Sequence, residues 1–330
     1  MAKKRIAING FGRIGRLTFR KLWDMEDVDV VAINDLTDNA TLAHLLKFDS
    51  AHGKFDHDIS ATDQNIIING DRVAASSERD PSKLPWADMN IDTVIEATGV
   101  FRNADGAKKH IEAGAKRVVI SAPGKGDGIE TIVLGVNSGG MTDDAPVYSN
   151  ASCTTNCLAP VVMVLDQAFG IDKGSLTTTH AYTSDQRIQD APHSDLRRAR
   201  AAAQNIIPTT TGAAAAVGKV YPPIKDKLFA IAIRVPVITG SMIELNVILN
   251  KDASIDDINE AFKSAADGPL KGVLEYSTDP LVSTDIIGNE HSCIFDSLMT
   301  NTIGNLVKVV AWYDNEAGYS ARLAELVARL

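Results

Sequence analysis

Residues 4–35, KRIAINGFGRIGRLTFRKLWDMEDVDVVAIND, decide the fold. Residues 4–8 read as a short buried strand. Gly10, Gly12 and Gly15 then form G-x-G-x-x-G, a helical pattern continues to about Trp23, and VDVVAIND reads as a second strand ending at Asp35. Strand, glycine turn, helix and strand together make a unit whose strands are parallel. In that setting Gly10 permits the tight turn, Gly12 lets backbone approach a pyrophosphate, and Gly15 lets helix and strand pack closely. The helix N-terminus offers oriented N–H groups to the phosphates. Asp35 is placed to accept from ribose hydroxyls and to repel a 2′-phosphate, so NAD is expected ahead of NADP.

Working outward, IDTVIEAT (91–98), KRVVISAP (116–123) and ETIVLGVN (130–137) repeat the apolar, β-branched character, with helical stretches between them. The fold class is therefore α/β, beginning with a doubly wound Rossmann-type parallel sheet. Asn69-Gly70, between two apolar runs, predicts a hairpin at its edge. After about residue 150 longer strand candidates appear with fewer helices: LTTTHAYT, LFAIAIRVPVI, MIELNVILN and LVKVVAWY. They predict a second α+β domain with a mixed, largely antiparallel sheet. Ser254 and Asp257 form a capping box for a helix reaching about Ala266. Tyr319, Leu323, Leu326 and Leu330 at helical spacing predict an amphipathic C-terminal helix. The expected domains are 1–151, with helix 315–330 packing back onto it, and 152–314. The connection 183–212 is too long for a structureless loop unless it lines a site or an interface.

Composition narrows the function. The 330 residues carry 33 Lys plus Arg against 42 Asp plus Glu, a net charge of −9 that disfavours nucleic acid and anionic membranes as partners. Any anionic ligand needs a local basic pocket. Three cysteines are too few for a disulfide framework, which points to a reducing, cytoplasmic compartment. The start, MAKKRIAINGFGRIGR, lacks the apolar core of a signal peptide, and no run is long and apolar enough to span a membrane.

Cys153 stands in YSNASCTTNCLAP, between a strand and a helical run. A cysteine at a helix N-terminus is favoured as thiolate, so its pKa is expected below the usual value of about 8.5. Pro160 should kink that helix or shift its first turn. Cys157, one turn on, reads as packing, and its spacing from Cys153 matches no metal site. Among seven histidines His180 is the best base, because it lies in a polar strand of the same half. Thr209, Thr210, Thr211 and Gly212 lead into a helical stretch that could receive an anion. Arg234, inside an apolar strand, needs either a ligand or an ion-pair partner. The LRRAR run at 196–200 suits a subunit interface or an anion pocket.

INGFGRIGR, AIND, SNASCTTNC, HAYTSDQR, HSDLRRARAAAQNIIPTTTGAA and WYDNEAGYS, in this order along the chain, resemble the phosphorylating glyceraldehyde-3-phosphate dehydrogenases. The resemblance implies an NAD-preferring cytoplasmic enzyme of glycolysis or gluconeogenesis. It would oxidise glyceraldehyde 3-phosphate to 1,3-bisphosphoglycerate through a hemithioacetal and a thioester on Cys153, with His180 as base. It implies Thr183, Asp185 and Arg234 around the substrate phosphate, and Ser152, Thr154, Thr211, Gly212 and Arg198 around inorganic phosphate. For the cofactor it implies Phe11, Arg13 and Ile14 beside the three glycines and Asp35, with Thr98, Gly99 and Ser121 nearby. Asn315 would hold the nicotinamide carboxamide and Tyr319 would flank the ring. The 183–205 connection is similar to a loop that lines a neighbouring subunit's cofactor site, implying a homotetramer. Ala215 replaces a lysine common in the family. Ala191-Pro192 matches neither the Leu-Pro of many NAD-specific members nor the Ala-Ser of NADP-using ones, so some NADP use is also expected. Erythrose 4-phosphate and semialdehyde dehydrogenases share the thiol chemistry, and a non-catalytic NAD binder would share the glycine turn.

Overall fold

The last four residues of the first strand, Lys4–Asn9, are buried. A short strand sealed along its length belongs inside a parallel sheet. It pairs in parallel with Val28–Asn34 on one side and Thr93–Glu96 on the other, in a computed structural model that describes residues 3–141 and 145–330. The nine-stranded sheet runs Glu130–Thr131, Val147–Ser149, Arg117–Ile120, Thr93–Glu96, Lys4–Asn9, Val28–Asn34, Asp71–Ser76, Asn65–Ile68, Ile59–Ala61. Helices Arg13–Trp23, Asn39–Lys47 and Ala104–Glu112 belong to the same unit. Asn69 and Gly70 both take positive φ between antiparallel strands, the turn whose twist matches that of a hairpin.

One expectation needs correction. ETIVLGVN contributes only the two-residue strand Glu130–Thr131. Asn137 Oδ1 accepts from the Val133 N–H at 2.8 Å and Gly135 takes positive φ, so a turn closed by a side chain replaces the ladder. The Cys153–Phe169 helix starts at Cys153 and continues unbroken through Pro160. Proline removes one interior backbone bond, but every residue from Thr154 to Leu165 is buried, and packing rather than propensity sustains the helix.

The second sheet has eight strands, in the order Ile207–Thr210, Leu228–Val235, Ile171–Ala181, Ser241–Leu249, Leu306–Tyr313, Cys293–Asp296, Leu274–Ser277, with Asn301–Ile303 beside Leu306–Tyr313. Its pairings are mostly antiparallel, with Ile171–Ala181 parallel to Leu228–Val235 and Leu274–Ser277 parallel to Cys293–Asp296. Ser254 caps Ile255–Asp267 through a reciprocal bond pattern with Asp257. Contacts partition the chain into one unit of Met1–Ile132, Met141–Ala151 and Ser320–Leu330, and another of Val133–Gly140 and Ser152–Tyr319. Within the first unit, Lys4 Nζ donates to the Ala328 carbonyl at 2.7 Å and Arg117 to the Leu330 carbonyl, tying down the end of the Ala317–Arg329 helix.

Candidate active site

Cys153 is the first residue of its helix because Ser152 ends the preceding extended chain and caps it, its hydroxyl accepting from Thr155 N–H at 3.0 Å. His180 comes from the Ile171–Ala181 strand, where parallel register sets it against Arg234. The fold thereby brings three distant residues together. Cys153 Sγ lies 3.4 Å from His180 Nε2, and His180 Nδ1 faces the Ala181 carbonyl at 2.7 Å and Arg234 Nη1 at 2.5 Å. Arg234 Nη1 also donates to the Ala181 carbonyl at 3.1 Å. Nδ1 meets both an acceptor, the Ala181 carbonyl, and a donor, Arg234, and the tautomer protonated on Nδ1 is the one that leaves a lone pair on Nε2 for the thiol.

The electrostatics divide the roles. Burial, reinforced by the Arg234 charge, lowers the His180 pKa to about 3, so the imidazole is neutral at physiological pH. Burial also pushes the Cys153 thiol up, while the Arg234 charge and hydrogen bonds from Thr154 pull it down without cancelling the rise. The expectation of a lowered thiol pKa is thus corrected, because desolvation outweighs the Arg234 charge and the hydrogen bonds at the helix start. Arg234 is itself lowered by burial, and its Nε has no hydrogen-bond partner. Among the described residues no carboxylate lies within salt-bridge distance of it, so its charge remains available to an anion.

Other candidates are placed differently. Thr154 turns its hydroxyl to Tyr313 OH at 2.9 Å, and Thr178 meets the same phenol at 2.9 Å. Tyr313 packs edge-on against the His180 ring, a neighbour missed although it stands inside the quoted WYDNEAGYS. Asp185 is paired with Arg198 at 2.7 Å, and Arg198 also donates to Thr209 Oγ1 and the Thr210 carbonyl. Thr211 Oγ1 accepts from Ala213 N–H beside Gly212, the N-cap of Ala213–Val220. The Thr183 N–H donates to Gln186 Oε1. Asn315 Oδ1 accepts from Ser241 Oγ at 2.8 Å, and Tyr319 is buried at the start of its helix. Ser241, unremarked in the sequence, also accepts from the Ala181 N–H.

In the first unit the glycine turn fits a dinucleotide. A side chain on Gly15 would come within 2.2 Å of the Gly10 carbonyl, whereas nothing lies within 4 Å of where one on Gly12 would point, so backbone there is open to approach. No side chain caps the Arg13–Trp23 helix, and Ile14 lies in its first turn. Asp35 accepts from Phe11 N–H at 2.7 Å and from Thr37 N–H at 3.0 Å, which fixes a carboxylate at the turn. The Phe11 ring is in the core, leaving only its backbone at the turn. Arg13 is held by Asp49, at 2.8 and 3.1 Å. Thr98 and Gly99 are exposed and the Ser121 N–H is bonded to the Glu96 carbonyl. Among the described residues no helix is long and apolar enough to cross a membrane, and no group of three or more His, Cys, Asp or Glu could hold a metal.

Residues 4–104 match a family model described as glyceraldehyde 3-phosphate dehydrogenase, NAD binding domain, and residues 152–315 match one described as its C-terminal domain. The chain is similar to the glyceraldehyde-3-phosphate dehydrogenase of Mycobacterium avium, with 55% identity over 98% of this chain and 97% of the relative. Those of Mycolicibacterium smegmatis and Geobacillus stearothermophilus are 54% and 53% identical at the same coverage. A thiol set 3.4 Å from an imidazole, a glycine turn built for a dinucleotide, and likeness over nearly the whole length agree, and the chain belongs to the glyceraldehyde-3-phosphate dehydrogenase family of NAD-dependent oxidoreductases.

Proposed function

We propose that this protein catalyses the NAD-dependent oxidative phosphorylation of glyceraldehyde 3-phosphate to 1,3-bisphosphoglycerate, on Cys153 with His180 as base. The 3.4 Å approach of Cys153 Sγ to His180 Nε2 carries the reading. The Cys153 proton passes to Nε2 as sulfur attacks the aldehyde carbon, and Nε2 hands the same proton to the new oxygen, giving a hemithioacetal and a neutral His180. His180 then removes the hydroxyl proton as the C–H bond breaks with its electron pair, leaving a thioester. NAD, when bound, supplies the acceptor for that hydride. Phosphate oxygen attacks the thioester carbon, the C–S bond breaks, and Cys153 leaves as thiolate. Splitting one hard step into two easier ones is the gain from covalent catalysis.

The guanidinium of Arg234, bonded through Nη1 to His180 and the Ala181 carbonyl but to no carboxylate, suits the substrate phosphate, assisted by the hydroxyl of Thr183. Asp185, an anion, serves by orienting Arg198 rather than by touching phosphate. Thr211, Gly212 and the helix they open suit inorganic phosphate, with Arg198 alongside. The hydroxyls of Ser152 and Thr154 are engaged in capping and with Tyr313, so the backbone at these positions, rather than the side chains, is what an anion would meet. Gly10, Phe11, Gly12, Arg13, Ile14, Gly15, Asp35, Thr98, Gly99 and Ser121 form the dinucleotide site, Asn315 takes the carboxamide through its amide nitrogen, and Tyr319 flanks the ring. The fixed charge of Asp35 favours NAD, with NADP a weaker substrate. Ile188, Leu196 and Ile206, in the connection after Thr183, are 88%, 81% and 71% exposed, apolar surface that supports a homotetramer. Free thiols at Cys153, Cys157 and Cys293 support a cytoplasmic setting.

The test is NADH formation from glyceraldehyde 3-phosphate with and without inorganic phosphate, repeated with NADP and with erythrose 4-phosphate. Phosphate-dependent turnover lost in Cys153→Ser supports the proposal. Equal turnover without phosphate, or a higher kcat/KM for another aldehyde, overturns it.

A further inference from the structure

Four neighbouring parallel strands of the first unit end in polar residues that stand in register: Ser76, Asn34, Asn9 and Glu96. Asn34, Asn9 and Glu96 are no more than 4% exposed, where polar groups must be paired. Their side chains form one directed hydrogen-bond row. Ser76 Oγ donates to Asn34 Oδ1 at 2.9 Å, Asn34 Nδ2 to Asn9 Oδ1 at 2.7 Å, and Asn9 Nδ2 to Glu96 Oε2 at 2.6 Å. From the other side the Trp86 indole N–H donates to His110 Nδ1 at 3.0 Å, which leaves the proton on Nε2 to meet Glu96 Oε2 at 3.1 Å. The second carboxylate oxygen accepts from the N–H of Thr98 at 2.9 Å and from its hydroxyl. Asn9 Nδ2, His110 Nε2 and the N–H and hydroxyl of Thr98 meet on Glu96, and a carboxylate, which accepts through both oxygens, satisfies them together.

Three members of the row adjoin pieces of the dinucleotide site. Asn9 is followed by Gly10, Asn34 by Asp35, and Glu96 holds Thr98 while its carbonyl holds the Ser121 N–H. A side chain on Gly10 would meet Thr98 N at 2.5 Å, so the glycine turn and the Thr98 turn lie against each other. From this arrangement we infer that Glu96 is a positioning residue for NAD: its carboxylate, with the His110 tautomer locked by Trp86, sets the mutual placement of Gly10, Asp35 and Thr98. The inference rests on the reading of the glycine turn as the dinucleotide site.

Calorimetric titration of the full-length protein with NAD tests it. In Glu96→Gln an amide N–H replaces one acceptor oxygen and confronts buried donors, so Kd for NAD should rise on the order of 10- to 100-fold. Adding Trp86→Phe frees His110 to carry its proton on Nδ1 and to accept from the new amide at Nε2, so the double variant should recover most of the affinity. A merely structural role predicts the opposite, with two buried lesions compounding. Should Glu96→Gln not fold, Asn34→Ala interrupts the row away from the carboxylate and should weaken NAD several-fold. Alkylation of Cys153 in the cofactor-free variants checks that the other unit is intact. Asp35→Ala separates the two ideas: if it weakens NAD while Glu96→Gln does not, or if the double variant shows no recovery, the positioning role is overturned. If Asp35→Ala also leaves Kd unchanged, the dinucleotide site itself has been misread.

Discussion

At Cys153 two opposing influences meet, and their balance makes a measurable pH profile. Burial holds the proton on sulfur, and Arg234 with the Thr154 bonds partly offsets it. Because the folded value lies above that of a free thiol, alkylation of the cofactor-free protein by iodoacetamide should stay slow at neutral pH and climb through a midpoint above about 8.5. His180, lowered to about 3, should add no inflection between pH 5 and 8. In Arg234→Gln the midpoint should move further up, since a charge favouring thiolate is gone; a downward shift would refute the balance. His180→Asn should lower turnover by on the order of 10²- to 10⁴-fold, the usual worth of a general base, read from steady-state kcat. Stopped-flow rates for the pre-steady-state burst of NADH would place that loss in the chemical step.

The elements carrying these residues are specified by short local signals. Ser254 with Asp257 marks the start of Ile255–Asp267, and the reciprocal bonds form as the pattern requires. Ser254→Ala should cost about 1 kcal/mol in denaturant unfolding while leaving kcat unchanged, since that helix contributes no group to the candidate site. Gly15 is a harsher case. A methyl group there would run into the Gly10 carbonyl, so Gly15→Ala should abolish NAD binding by calorimetry while Cys153 remains alkylatable. ETIVLGVN misled because strand-like composition does not report a side chain, Asn137, that closes a turn on Val133.

Over the whole molecule, the exposed apolar residues of the 183–212 connection ask for a covering partner. If the proposed homotetramer is closed through this segment, Ile188→Asp with Leu196→Asp should reduce the mass found by light scattering; an unchanged mass would remove the segment from the interface. The sequence by itself determined the two sheet types, the glycine turn with its acidic partner, the hairpin and the identities of the thiol and imidazole. All of these depend on side-chain periodicity, steric permission at glycine, or chemistry that a residue carries wherever it lies. Only the tertiary structure decided that Cys153 and His180 stand 3.4 Å apart, that Tyr313 backs the imidazole, that Arg198 is already engaged by Asp185, and that Ser76, Asn34, Asn9 and Glu96 form one row. It also reversed the direction of the thiol pKa. Those outcomes turn on strand register and on desolvation, which arise between segments far apart in the chain, and no local pattern encodes either.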